Sequence, residues 1–253
     1  MTGDWLRGIA TDLKIGLLFS TRFPISHSVP IGGRDIARAS WALPVIGALI
    51  GLVGAAVYCL AYELNLPRVA GAGLALAATL AATGCLHEDG LADTFDSWGG
   101  SSRERKLEIM RDSRIGTYGA CALALSLILR VGLLASLAGP AQVALALIAS
   151  HAGARAMMPA FLRWVPPARP DGLAAAAGRP PLPGVVIAAL LGVILLIFGL
   201  GAVRALVALA ILLAMLGFMR RLCVKQIGGQ TGDVAGALEQ IGEIAVLLTA
   251  AAG

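Results

Sequence analysis

Charge is what this sequence has least of. Asp, Glu, Lys and Arg make up 14% of its 253 residues, where a soluble globular domain carries about 25%. Aromatic residues stand at 5%, and there are three histidines. The four cysteines (Cys59, Cys85, Cys121, Cys223) are scattered and form no CxxC pair. That argues against a zinc site or a disulfide framework and leaves them as small apolar residues. No Gly-x-x-x-x-Gly-Lys-Ser/Thr loop occurs, which argues against a conventional ATPase. The apolar runs are continuous rather than alternating, which argues against a transmembrane β-barrel. No internal repeat or low-complexity linker is present. The first twenty residues, with Asp4, Arg7, Asp12 and Lys14, do not read as a signal peptide.

What fills the chain instead is apolar: 58% of it is hydrophobic, with a mean hydropathy of +0.82. A membrane-spanning helix needs about 20 such residues in a row. Seven spans are expected, over 41–62, 69–86, 115–138, 141–162, 184–200, 203–219 and 234–252. The fifth and sixth are short and nearly continuous around Gly201 and Arg204, which predicts a tight helical hairpin. Ahead of them, Trp5, Ile9, Leu13 and Leu17 recur near helical spacing over 5–19, as in a helix lying on a membrane surface. Residues 26–37 read as a polar loop. The stretch 166–183, with six prolines, reads as an extended connector. The fold class is therefore all-α: a polytopic helical membrane protein, one domain over 1–253, with about seven transmembrane helices plus an N-terminal amphipathic helix.

Net charge is +5 and the pI is about 9.4. In such a protein, basic residues first set orientation, and no nucleic-acid partner is implied. With the N-terminus placed in the cytoplasm, sixteen of the twenty Lys and Arg fall in the N-terminal segment and in 87–114, 163–183 and 220–233, all on one side. Arg68 and Arg204 fall on the other, and Arg130 and Arg155 lie within spans. Every motif-like loop then faces the cytoplasm.

Against that background Leu86-His87-Glu88-Asp89-Gly90-Leu91-Ala92-Asp93-Thr94-Phe95-Asp96 stands out. If it continues the second span as a helix, Asp93 and Asp96 each lie within about 40° of Asp89 around the axis. Carboxylates so close repel unless a cation lies between them. Hard oxygen ligands on one stripe suit Mg²⁺, which commonly shares its shell with substrate phosphates. An idle, solvated acidic turn is the plainer alternative. Gly90 lets a backbone or a ligand come close.

Three further groups carry chemistry. Arg111-Asp112-Ser113-Arg114-Ile115-Gly116-Thr117-Tyr118-Gly119 offers Asp112 as a cap or metal ligand and Arg111 and Arg114 as phosphate grips; a charged collar at the membrane entry is the alternative. Residues 103–112 read as a short amphipathic helix. Gly228-Gly229-Gln230-Thr231-Gly232-Asp233 is a glycine-rich turn leading into the last span, where Asp233, Gly236, Gln240 and Glu243 share a sector of about 80°. Glu239 and Glu243 stand inside an apolar span, where ionisable groups are costly and face a polar interior. His151 and Arg155, four residues apart, could reach a phosphate or pair with those glutamates. Metal, phosphate and arginine without a covalent nucleophile point to phosphoryl transfer by positioning and charge neutralisation.

These motifs, with Leu18-Phe19-Ser20-Thr21-Arg22-Phe23-Pro24-Ile25 and Pro44-Val45-Ile46-Gly47, resemble the cobalamin synthase (adenosylcobinamide-GDP ribazoletransferase) family over nearly the whole chain and in the same order. Cys85 departs from a position that is often glycine there, and 163–210 carries no matching motif. The resemblance implies a Mg²⁺-dependent transferase of the bacterial inner membrane with two substrates, adenosylcobinamide-GDP and α-ribazole or α-ribazole 5′-phosphate. The products are adenosylcobalamin or its 5′-phosphate, together with GMP. Mapped onto this chain, Glu88, Asp89, Asp93, Asp96 and Asp112 are the expected metal ligands. Asp96, with His87 and Asp93 as alternatives, is the expected catalytic group. Arg111, Arg114, Arg155, Asp233 and Gln240 are expected at the substrate. A homo-oligomer is compatible with this reading. Two other classes compete: an ion-coupled transporter using Glu239, Glu243, His151 and Arg155 as a relay, and a CDP-alcohol phosphotransferase. The second lacks its Asp-Gly-x-x-Ala-Arg core here, because Asp93 stands where alanine is needed.

Overall fold

The computed structural model describes residues 2–26 and 31–252, with the side chains of 2–6, 173 and 174 left aside. The described residues are helical throughout apart from turns and a single isolated bridge between Pro167 and Gln230. The helices are α1 (Thr2–Ser20), α2 (Gly33–Ala39), α3 (Leu43–Glu63), α4 (Arg68–Thr83), α5 (Leu86–Ser97), α6 (Arg103–Ile109), α7 (Thr117–Ser136), α8 (Pro140–Trp164), α9 (Leu173–Ala177), α10 (Leu182–Leu200), α11 (Ala202–Ile227) and α12 (Gly232–Ala251). Six stretches are long and apolar enough to cross a membrane, with α3, α7, α8, α10, α11 and α12 at their centres. The bent pair α4–α5 makes a seventh. Crossing by α4 brings the chain back to the face where it began, so α5, α6 and the turns before α10 and α12 gather at one end of the bundle.

The expected spans thus recur as helices, with four corrections. The second span does not continue into the acidic motif. Gly84 (φ +64°) and Cys85 (φ +57°) take successive left-handed conformations, and the chain turns by 90° between α4 and α5. A non-glycine residue there, as Cys85 is, costs about 1–2 kcal/mol. The segment 220–227, read as loop, is the last two turns of α11; a run with Arg220, Arg221 and Lys225 ends the apolar pattern without ending the helix. The polar loop over 26–37 falls partly outside the described residues (27–30), and α2 already starts at Gly33. The hairpin between α10 and α11 turns on Gly201 alone (φ +77°). The connector 166–183 is not the extended segment expected: residues 168–172 bend, 173–177 form α9, and α10 already begins at Leu182.

Helix α8 is the axis of the bundle, buried along most of its length and packed against α3, α10 and α12. Small residues allow this. A Cβ on Gly51 would lie 2.6 Å from the Leu147 carbonyl oxygen, and one on Gly47 would collide with that of His151, so α3 and α8 cross nearly backbone to backbone, as apolar helices in lipid tend to do. Helix α1 does more than lie on a surface. Leu13 and Leu17 pack on Ala42, Ile46 and Ile50, and Asp12 accepts bonds from Arg38 Nε (2.9 Å) and Trp41 Nε1 (3.0 Å). It thereby roofs part of a cavity at the same end of the bundle as α5.

Candidate functional site

Helix α5 lies across the start of α12, and the crossing is set by two glycines. A Cβ on Gly90 would stand 2.7 Å from the Asp233 carbonyl oxygen and 3.0 Å from its Cα; one on Gly236 would be 3.3 Å from His87. The close approach allowed by Gly90 is therefore that of a backbone, and it delivers Asp233 beside Asp89 and Asp93. Asp233 is the second residue of α12, in the turn capped by Thr231, whose side-chain oxygen accepts from Val234 N (3.3 Å).

The result is a convergence of carboxylates from distant parts of the chain. Asp93 is pushed up to about 7, first by burial and then by the charges of Asp89, Asp233, Asp96 and Asp112. Asp89 is exposed, and Asp233 Oδ2 is buried without a hydrogen-bond partner. Asp112 is different. Arg114 grips it through Nη2 (2.6 Å) and Nε, which holds its carboxyl down to about 2.

Asp96 is engaged elsewhere. Its two oxygens accept from Gly116 N (2.7 Å) and Gly119 N (2.8 Å), and these are backbone donors of the first turn of α7. A carboxylate there satisfies orphan N–H groups and the positive end of the helix. Asp96 therefore ties α5 to α7.

Glu88 points the other way around α5, into the bundle. There it meets Arg130 Nη2 at 3.1 Å, and Arg130 Nη1 reaches Glu243 at 3.2 Å. Arg155 pairs with Glu239 and with Glu243 (2.8 Å); His151 pairs with Glu243; His87 Nδ1 lies 3.0 Å from Glu239. Gln240 Nε2 donates to Glu239 at 3.0 Å. Arg130, Arg155, Glu239 and Glu243 are all at most 2% exposed. Isolated charges could not persist in such surroundings, and this closed network of α5, α7, α8 and α12 compensates them. His151, Glu239 and Glu243 are close enough to share a metal ion, but the Arg155 guanidinium already occupies the space between the two glutamates.

The substrate and metal expectations shift accordingly. Glu88, Arg155 and Gln240 belong to the buried network and stand away from the open carboxylates. Arg111 and Arg114 are exposed and paired with Asp171 and Asp112. The open site adjoins a cavity of about 250 Å³, whose wall includes Ile15 and Phe19 of α1, Leu86, His87 and Asp89 of α5, Asp233 of α12, and Arg169. Arg169 was not singled out in the sequence. It sits in a proline-rich connector without periodicity, and contacts with Gln230 and Arg103, distant in sequence, bring that connector over the site. The wall is mostly apolar with few charges, as in small-molecule sites. Asp89, Asp93 and Asp233 offer hard oxygens, one of them buried and without a partner, which is the donor chemistry a small divalent cation takes; their oxygens are not gathered to metal-sharing distance as those of His151, Glu239 and Glu243 are, so side-chain rotation would have to bring them onto one ion.

Comparison with known proteins gives the family. A family model described as cobalamin-5-phosphate synthase matches residues 12–251. A protein of Bradyrhizobium diazoefficiens called adenosylcobinamide-GDP ribazoletransferase is 56% identical, covering 98% of this chain and 96% of its own. Proteins of the same name from Mesorhizobium japonicum (51% identical; 96% and 94% covered) and Azorhizobium caulinodans (46% identical; 95% and 95%) are also similar. No solved structure matches. With nearly its full length matched and the acidic helix, the Arg-Asp collar and the glycine-rich turn brought to one end of a membrane bundle, the chain belongs to the cobalamin-5-phosphate synthase family.

Proposed function

We propose that this protein transfers the cobinamide phosphate of adenosylcobinamide-GDP to α-ribazole or its 5′-phosphate, releasing GMP. The observation that carries this reading is the close crossing of α5 and α12, which sets Asp89 and Asp233 in the wall of an apolar cavity with Asp93 within reach of both charges, in a chain of this family. The ribazole hydroxyl oxygen forms a bond to the phosphorus that bears cobinamide. The bond from that phosphorus to the bridging oxygen breaks, and the oxygen leaves with GMP. The hydroxyl proton passes to a carboxylate of the open cluster, Asp89 or Asp93, rather than to Asp96, which fastens α7, or His87, which is held between Glu239 and Arg155.

Asp89, Asp93 and Asp233 would hold Mg²⁺, with Asp112 at the edge. The ion, when bound, would neutralise charge on the diphosphate oxygens. The chain's own residues supply the rest. Helix α5 presents the carboxylates, the α5–α12 crossing fixes their spacing, and α1 with the connector around Arg169 limits access of water. The basic end of the bundle is assigned to the cytoplasmic side of the inner membrane by its excess of Lys and Arg.

The side chains a transporter relay would need are partnered with one another inside the bundle, which favours a structural use for them. Purified protein incubated with adenosylcobinamide-GDP, α-ribazole and Mg²⁺ should release one GMP per corrinoid joined, and chelation by EDTA should stop it. No GMP from folded, monodisperse protein would overturn the reading.

A further inference from the structure

The cavity presents two unsatisfied groups of opposite charge. Arg169 Nη1 and Asp233 Oδ2 are each buried and without a hydrogen-bond partner among the described residues, yet both residues line the cavity and they do not bond to each other. A guanidinium and a carboxylate that share a wall without closing on one another leave room for something between them. That occupant must offer acceptors to the arginine and positive charge to the carboxylate. A diphosphate ester carrying a divalent cation does both.

The chain holds Arg169 in that position. Ala168 N donates to the Gln230 carbonyl (2.8 Å), Gln230 N donates to the Pro166 carbonyl (2.8 Å), and Arg103 Nη2 of α6 donates to the Ala168 carbonyl (2.8 Å). Gly229 is required for this clasp, because a Cβ would collide with the Pro166 carbonyl. Pro167 and Pro170 flank the residue and narrow its backbone choices. The connector is therefore docked onto the turn that precedes α12, so Arg169 and Asp233 are held by a common support. The arginines expected at the phosphate are engaged elsewhere: Arg111 and Arg114 have carboxylate partners at the surface, and Arg130 and Arg155 are ion-paired with glutamates inside the bundle, where only the Nε of each is left without a partner.

We propose that Arg169 is the residue that grips the diphosphate of the nucleotide-linked substrate, facing the carboxylates of α5 and α12 across the cavity. This rests on the function proposed above and deepens it by naming the anion-binding residue. It accounts for an orphaned buried guanidinium N–H and transfers the phosphate-binding role from Arg111, Arg114 and Arg155.

The test compares wild type with Arg169→Ala, Arg169→Lys and, as a control at the opposite end of the bundle, Arg204→Ala. GMP release is followed while each substrate is varied. Loss of a charged hydrogen bond should raise KM for adenosylcobinamide-GDP roughly 10- to 100-fold in Arg169→Ala, leave KM for α-ribazole within about twofold, and be partly restored in Arg169→Lys. Retention of radiolabelled inorganic diphosphate with Mg²⁺ by the detergent-solubilised protein should fall in parallel, and Arg204→Ala should match wild type in both. Unchanged KM and unchanged diphosphate retention in a folded Arg169→Ala protein would overturn the assignment. So would an Arg169→Lys protein that is folded but loses turnover with no change in diphosphate retention. If wild type releases no GMP, the proposed reaction fails, and the diphosphate measurement alone then decides the role of Arg169.

Discussion

At the scale of single residues, the instructive case is Asp93. Its proton affinity is raised because burial and four neighbouring carboxylates all oppose its charge. The folded chain therefore holds this proton more tightly than the unfolded chain does. By linkage, the contribution of Asp93 to the stability of the metal-free protein should be fully present below about pH 4 and lost as pH rises towards about 7. Unfolding midpoints of the EDTA-treated protein in detergent should fall between pH 5 and pH 8. Asp93→Asn should flatten that fall while abolishing GMP release, and a mutant with an unchanged pH profile would refute the account. The same repulsion is what a bound cation relieves, so site and instability are one feature. That Asp89 and Asp93 crowd one face of a helix was legible from the sequence. Asp96 and Glu88 were not separable from them, because helical periodicity puts residues on a face without saying what stands opposite. Opposite Asp96 are the amides of Gly116 and Gly119; opposite Glu88 is Arg130.

At the scale of elements, the seven apolar spans were readable because continuous hydrophobicity is a strong signal in lipid. The bend between α4 and α5 was not, since Cys85 gives no sign that its backbone is left-handed. The crossing of α5 over α12 depends on the absent side chain of Gly90. Gly90→Ala would press a methyl group to 2.7 Å from the Asp233 carbonyl, and backbone atoms cannot yield as a flexible side chain would. The helices should part by a few tenths of an ångström or more. A misplacement approaching 1 Å in a catalytic geometry can cost on the order of 100-fold in rate, so kcat in Gly90→Ala should drop by roughly 10- to 100-fold while the protein still inserts and extracts normally. Gly73→Ala in α4, where a Cβ meets nothing within 4 Å, should stay at wild-type activity and gain about 0.5–1 kcal/mol from helix propensity. Equal activities in the two variants would show that the crossing distance is not limiting.

At the scale of the whole molecule, the sequence assigned the motifs to one face through the lopsided Lys and Arg count, and the helix order gathers them at one end of the bundle. Partnership inside the bundle was only half legible. Pairing of His151 and Arg155 with Glu239 and Glu243 was foreseeable from intramembrane cost, but Arg130 as the link between Glu88 and Glu243 needed three dimensions, because the residues lie 42 and 113 positions away. This link makes the site and the membrane core mechanically one body: α5 is held from beneath by Arg130 and from above by the backbone of α12. Removing one member of a buried ion network leaves its partners charged without compensation, which costs about 3–5 kcal/mol. Arg130→Met should therefore strand Glu88, while Glu243 keeps Arg155 and His151, and destabilise the protein by about that amount. Adding Glu88→Gln to that background should recover a substantial part, since the stranded charge is then gone. The double mutant separates two roles: unfolding in detergent reports the network energy, and GMP release at saturating substrate reports whether α5 keeps its place. If stability returns in the double mutant and turnover does not, Arg130 positions the acidic helix through Glu88; if both return together, the network serves stability alone.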